Sequence, residues 1–249
     1  MRGIDVFRRY FKEYQDQYVL IGGGACDLLF GARDTEFRAT KDLDVVLLVE
    51  ALTPKFGKQF WAFVRDGGYE HRAKSSGRPQ FYRFDRPKDS SFPEMIELFS
   101  RKADTFLDQS MGPCVPLPLG DEVSSLSAIL LNEDYYQLLR QGRTTLEDVT
   151  ILSPLYLIPF KVKAWLDLTA RREQGQQIDE KDIKKHKNDV VRLTTLLLAE
   201  ERCQLPAMIQ TDMEQFIAQF TKAPVDPKAL HLRGVHSEDI LQVLQSVYL

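Results

Sequence analysis

The chain has 249 residues, 43% of them hydrophobic and 28% charged, enough apolar material for one large domain or two smaller ones with real cores. A formal net charge of −3 excludes a wholly basic nucleic-acid binder, although local basic patches stay open. Three scattered cysteines, Cys26, Cys114 and Cys203, without a CxxC or Cys/His cluster, exclude a disulfide framework and a zinc site and fit reduced thiols.

The N-terminal stretch MRGIDVFRRYFKEY carries charges throughout, unlike a signal peptide, and its apolar residues recur at helical spacing, so it predicts an amphipathic first helix. QYVLIG then reads as a buried strand ending at Gly22, ACDLLF as a short helix, and DLDVVLLVE as a strongly apolar strand. TPKFGKQFWAFVRDGG reads as a helix with Thr53 as N-cap, Pro54 at its first position and Gly67 just past its end. PQFYRFDR and EMIELFSR read as two further strands. VPLPLG and the stretch 125–149 suggest short strands or a hairpin.

From about Pro154 the texture turns helical. IPFKVKAWLDLTARR, EKDIKKHKNDVVRLTTLLLAE, PAMIQTDMEQFIAQF and SEDILQVLQSVY each carry helical periodicity. The expected division is an α/β region over 1–152 and a helical region over 153–249. No stretch is long and apolar enough to span a bilayer, since ILSPLYLIPF is short and broken by prolines. No membrane role is expected, and the expected compartment is the cytoplasm.

Two clusters carry candidate chemistry. A strand running into Gly22, Gly23 and Gly24 and then a helix lets the backbone turn sharply and offers free N–H groups to a phosphate. A dinucleotide-binding fingerprint fails, because Asp27 stands where its last glycine belongs and Asp42 and Asp44 open the second strand instead of closing it. A P-loop fails because no Gly-Lys-Ser/Thr follows. Asp42 and Asp44 lie two apart on a strand and so share a face, where two carboxylates repel unless a cation sits between them. Mg²⁺, or Mn²⁺ in its place, prefers such oxygen ligands completed by water and substrate phosphates. Glu97, flanked by Ile96 and Leu98, points opposite to them and is costly to bury alone, which makes it the third acid; Glu94, next to Pro93, is its rival.

These residues resemble a known pattern. Gly22-Gly23-Gly24-Ala25, followed by Arg38, Thr40, Asp42, Leu43 and Asp44 in RATKDLDV, is similar to the nucleotidyltransferase signature of the AbiEii/AbiGii toxin family, G-G-x-A and then R-x-T-x-D-L-D. Its second half, K-x-x-A-L on a helix and a basic run ending in aspartate, is matched by FKVKAWL and KKHKNDVVRL, with Lys-His where the family more often has Arg-Asp. The similarity runs from about Tyr18 to Leu193.

The resemblance implies an α+β fold, a polymerase-β-like mixed sheet flanked by helices and followed by a C-terminal helical domain. It implies Mg²⁺-dependent transfer of a nucleoside monophosphate from an NTP to an acceptor hydroxyl. Asp42, Asp44 and Glu97 would be the metal and catalytic acids, and Gly22, Gly23, Gly24, Arg38 and Thr40 would hold the nucleotide. It further implies an RNA acceptor, tRNA being one outcome in the family, and a toxin with a cognate antitoxin. A small hydroxylated acceptor, as in antibiotic-modifying relatives, and a non-catalytic or antitoxin-like module of the same fold are the alternatives.

Helical geometry adds a check. With successive residues about 100° apart, Lys161 falls inside the apolar arc formed by Val162, Ala164, Trp165, Leu166 and Leu168. Lys163 falls outside it beside Asp167, as an i,i+4 surface pair. An inward lysine needs an anion, so Lys161 joins the catalytic and nucleotide-binding candidates. The same exercise puts His186 among the apolar residues of the next helix as a hydrogen-bonded core histidine. It leaves Lys184, Lys187 and Asn188 facing solvent. Asp189, at the edge of that face, is either a structural partner of Lys161 or Arg192 or a direct participant. From Lys161 to Arg192 there are nine Lys or Arg against six Asp or Glu, and from Arg65 to Lys102 the same tally. Such stretches suit a phosphate backbone or a solvated helix face equally.

Overall fold

The computed structural model describes residues 1–73, 81–99, 129–130 and 132–249. Cys114, the VPLPLG stretch and the first residues of the 125–149 stretch lie outside them. The architecture is α+β, with a mixed seven-stranded sheet flanked by helices in the first part of the chain and a run of helices in the last. By its contacts the chain divides into two compact units. One comprises Met1–Pro118 and Arg143–Leu152, the other Leu119–Gly142 and Ser153–Leu249.

In the first unit, helix α1 (Ile4–Phe11) leads into strand β1 (Tyr18–Ile21), helix α2 (Gly22–Gly31) and strand β2 (Asp42–Leu47). Helix α3 (Pro54–Gly67) follows, then β3 (Glu70–Ala73), β4 (Phe81–Asp85) and β5 (Met95–Phe99). A hairpin of β6 (Arg143–Leu146) and β7 (Val149–Leu152) completes the sheet, whose order is β3-β4-β5-β2-β1-β7-β6. The central strand β2 runs antiparallel to β1 and parallel to β5. The hairpin turns through Glu147 and Asp148, both with positive φ (47° and 62°), the conformation a two-residue type I′ turn requires.

Strand parity sorts the sheet into two faces. Leu43 is in register with Ile96, and Ile96 with Phe84, so these share a face with Tyr18, Leu20, Val45 and Leu47. Helices α1 and α3 cover this face with aromatic rings. Phe7 and Phe11 contact Tyr18 at 5.3 and 6.1 Å, Phe11 meets Phe56, Phe60 and Phe63, and Phe60 stands edge-on to Phe84 at 5.3 Å. Burying such rings is the largest apolar contribution in this unit. The other face of β2 and β5 carries Asp42, Asp44 and Glu97.

Helix α3 starts as its residues dictate: the Thr53 side chain accepts from the Phe56 N–H at 3.3 Å and Pro54 sits at the first position. Its end runs one residue further than the sequence suggests, because Gly67 is still helical and Gly68 supplies the left-handed cap at φ 62°. Strand β3, absent from the sequence reading, is the short edge of the sheet.

The second unit holds α4 (Glu133–Gln141), α5 (Pro154–Glu173), α6 (Glu180–Thr194), α7 (Ala207–Lys222) and α8 (Ser237–Tyr248), with a 3₁₀ turn at Pro227–Leu230. Helix α4 corrects the expectation of strands throughout 125–149, which holds only for the β6–β7 hairpin. Asn132 caps α4, its side-chain oxygen accepting from the Asp134 and Tyr135 N–H groups, and Tyr135, Tyr136, Leu138 and Leu139 bury one helical face. Helix α6 stops at Thr194, shorter than its periodic stretch. Among the described residues no helix is long and apolar enough to cross a membrane.

Candidate active site

The three glycines occupy the first turn of α2 instead of forming a turn ahead of it, so the helix begins where β1 ends. The start of that helix has no side-chain cap, and its first backbone N–H groups have no intrahelical acceptor, the local geometry that favours an anion. Gly22 and Gly23 leave no room for a side chain, and Gly24 little. Gly22 has φ 67°, and a Cβ there would fall 1.7 Å from the Asp44 Oδ2. A Cβ on Gly23 would lie 2.3 Å from the Thr40 hydroxyl oxygen, and one on Gly24 3.1 Å from the Leu43 Cδ1. The glycine turn and the strand bearing Asp42 and Asp44 are therefore fitted directly against each other. Gly22→Ala is expected to cost roughly 1–3 kcal/mol from the positive φ alone, with more from the clash. The midpoint of urea unfolding checks this, and an unchanged midpoint contradicts it.

Pairing between β2 and β5 sets Asp44 opposite Glu97 and Asp42 opposite Met95. In-register neighbours on parallel strands point to the same side, so all three acids stand on the face turned away from α1 and α3. Asp42 and Asp44 are half-buried, whereas Glu97 is only 6% exposed. Burial is the main influence raising the Glu97 carboxyl above the usual carboxylate range, and the Asp42 charge adds to it; Arg83 and a hydrogen bond with Asp44 pull the other way. Glu94 lies just before β5 and is engaged elsewhere, its carboxylate accepting from Lys41 at 2.9 Å near the surface.

Arg83 is the residue the sequence reading missed. It is the register partner of Glu97 on β4, and its Nε donates to Glu97 Oε1 at 2.9 Å, with a second hydrogen bond from a terminal guanidinium nitrogen to the same oxygen. The signal was present in FYRFD, where an arginine alternates with aromatic residues on a strand and so must find an anion on its own face. Asp85, two residues on and on the same face, was also missed. Its Oδ1 is buried without a hydrogen-bond partner among the described residues.

Among the described residues, no group of three His, Cys, Asp or Glu side chains is closed on a single point as a metal would need. Oε1 of Glu97 is engaged by Arg83, which leaves Asp42 and Asp44 as the candidate donors. The remaining donor pair still suits Mg²⁺, which is commonly held by one or two carboxylates with the rest of its shell from water and phosphate oxygens. Two carboxyls in contact, Asp44 and Glu97, must share a proton or a cation.

The other predicted residues are placed as follows. Thr40 packs on Gly23, as described above. Arg38 lies over the Phe37 ring at 5.0 Å, and Phe37 stacks on Phe30 at 5.3 Å, so the loop between α2 and β2 is built on an aromatic stack. Lys161 and Asp189 belong to the second unit, where they find each other: Nζ donates to Oδ2 at 3.0 Å, with the residues 5% and 0% exposed. The anion that the inward lysine requires is thus Asp189.

Three expectations for that unit are corrected. Lys163 does not pair with Asp167 at the surface. It donates to Asp212 Oδ1 at 2.9 Å, while Tyr135 donates to Asp212 Oδ2, and Asp167 sits near Arg171 instead. The helical wheel missed this because α7 packs along that side of α5. Lys187 is half-buried rather than solvated, with its ammonium between the Trp165 and Phe220 rings at 5.4 and 5.5 Å and its pKa lowered by that burial. Asn188 and His186 are half-buried too.

No protein-family model matches the chain, and no curated protein matches it. Two solved structures are similar to it. An antigenic nucleotidyltransferase-like protein from Paracoccidioides brasiliensis is 15% identical at a TM-score of 0.48, over 98% of this chain and 93% of that one. MenT4, a nucleotidyltransferase toxin from Mycobacterium tuberculosis H37Rv, is 16% identical at a TM-score of 0.26, over 97% of this chain and 92% of that one. At these values neither likeness assigns a function to this chain.

Proposed function

We propose that this chain is a divalent-cation-dependent nucleotidyltransferase that moves a nucleoside monophosphate from an NTP to an acceptor hydroxyl. The observation that carries the proposal is the register that sets Asp44 beside Glu97, with Asp42 on the same face and the glycine-rich start of α2 against them. Asp42 and Asp44 would hold Mg²⁺ or Mn²⁺, with Glu97 as a further ligand or as the base that accepts the proton of the attacking hydroxyl. The cation, when bound, supplies neutralisation of the charge that builds on the pyrophosphate leaving group. The N–H groups of Gly22, Gly23 and Gly24 would hold phosphate oxygens, Thr40 would brace the glycines, and Arg38 would fix the nucleotide. Lys161 and Asp189, the remaining candidates, pair with each other within the second unit.

For the acceptor we propose RNA, tRNA in particular, with the chain acting as an AbiEii-like toxin held in check by an antitoxin in the cytoplasm. The support is the match of Gly22–Ala25 and of Arg38, Thr40, Asp42 and Asp44 to that family's signature, together with two modestly basic stretches. The test is to incubate the protein with Mg²⁺, each labelled NTP in turn, and either total RNA or a panel of small polyhydroxylated amines. Label in RNA, falling steeply with added salt, is the expected result. Label in the small molecules replaces the acceptor, and no label anywhere overturns the enzyme. The second reading, a non-catalytic module of the same fold, is favoured by one observation: among the described residues no group of three His, Cys, Asp or Glu is gathered as a metal would need, and Glu97 is paired with Arg83. Titration calorimetry without any Mg²⁺-dependent NTP binding would establish it.

A further inference from the structure

Most lysines on the helices of the second unit that reach another side chain reach an acid. Lys161 is held by Asp189, Lys163 by Asp212 and Lys184 by Glu180. Lys187 is different. Among the described residues no acid lies within ion-pair reach of it. Its Nζ lies instead over the Trp165 ring of α5 and the Phe220 ring of α7, at 5.4 and 5.5 Å, and donates to the Ala223 carbonyl just beyond α7. Of the acids on those two helices, Asp212 is engaged by Lys163 and Asp167 by Arg171.

The walls of this slot are part of the core. Phe216 is fully buried, stands edge-on to Trp165 at 5.2 Å and stacks on Phe220 at 5.9 Å, so the two rings are held in place from behind. A half-buried ammonium without a counter-charge loses hydration that two ring faces and one carbonyl restore only in part. Burial is the dominant influence on this amine and lowers its pKa. Once neutral, the amine has two N–H groups and a lone pair. One N–H can stay on the Ala223 carbonyl while the lone pair is available to an electrophile.

We propose that Lys187 is a modification site, the lysine of α6 that accepts an acyl group from small activated donors of the acyl phosphate class. The lysine nitrogen attacks the carbonyl carbon. The N–C bond forms as the C–O bond to phosphate breaks, inorganic phosphate leaves with that electron pair, and the surplus proton on nitrogen passes to solvent. The product is a neutral amide whose remaining N–H can still donate to Ala223, but which no longer offers a cation to the rings. The step uses none of the residues assigned to nucleotidyl transfer and stands or falls independently of it.

The test treats the full chain with acetyl phosphate at neutral pH and follows each acetylated lysine by peptide mass spectrometry, with the exposed Lys181 and Lys184 of the same helix as references. Lys187 is expected to be acetylated severalfold faster than either reference, because a larger fraction of it is neutral at that pH. The advantage should narrow as the pH is raised through the usual lysine range, where the reference amines lose their protons too. In urea it should fall to about one, since unfolding removes the slot and leaves the three lysines equally hydrated. Equal or slower labelling of Lys187, an advantage that survives in urea, or one that does not change with pH overturns the proposal.

Discussion

Asp42→Asn combined with Asp44→Asn is expected to lower nucleotide transfer by at least about a thousandfold while leaving the fold intact. The magnitude follows from the several kcal/mol of leaving-group charge that a bound cation neutralises, at about tenfold in rate for each 1.4 kcal/mol. The intact fold follows from position. Both residues are half-buried at the start of β2, and the apolar run Val45–Leu47 that anchors the strand lies beyond them. Two neighbouring like charges would be removed from one face, so stability should hold or rise slightly. Label transfer per minute and the midpoint of urea unfolding, taken on the same preparation, check both halves. Transfer at the parent rate would remove the two aspartates from the chemistry.

The second large effect concerns stability. Asp189→Ala is expected to destabilise the chain by roughly 3–5 kcal/mol, because it leaves the Lys161 ammonium buried without its counter-charge. Lys161→Met should cost a similar amount by stranding Asp189, which is fully buried. The combined Lys161→Met, Asp189→Leu variant should recover most of the loss, since a buried ion pair replaced by apolar groups of similar volume is often neutral. Urea unfolding of the three variants tests this, and additive losses in the double variant would contradict it. Its transfer activity carries separate information: restored stability with lost transfer places Lys161 on the substrate, while restored transfer makes the pair purely structural.

What the sequence discloses and what it conceals divide along physical lines. The strands carrying the acids are legible because Val45, Val46 and Leu47, and Ile96 and Leu98, leave little choice but a buried strand, and alternation then fixes where Asp42, Asp44 and Glu97 point. Lys161 is legible as an inward lysine because the helical arc around it is almost wholly apolar. Arg83 is legible in FYRFD only as an arginine that needs an anion on its own face; that the anion is Glu97 depends on which strand lies beside β5, and pairing between distant segments leaves no local trace. Lys163 and Lys187 defeat the helical wheel for a related reason. A wheel predicts which side of a helix is polar, whereas the partner waiting there, Asp212 for one and two aromatic rings for the other, comes from α7 and, for Lys187, also from α5. Helix α4 escapes because its amphipathic pattern covers little more than two turns, too short to stand out against strand-like neighbours.

The parallel pairing of β2 with β5 has a consequence for biogenesis. A slip of one position along β5 would bring Ile96 or Leu98 to the place of Glu97 and drive the acid into the aromatic layer under α1 and α3. A chain trapped in that arrangement would be both inert and unstable. Assembly of the acid trio thus coincides with correct closure of the sheet, so a misregistered copy lacks the face on which the proposed chemistry depends.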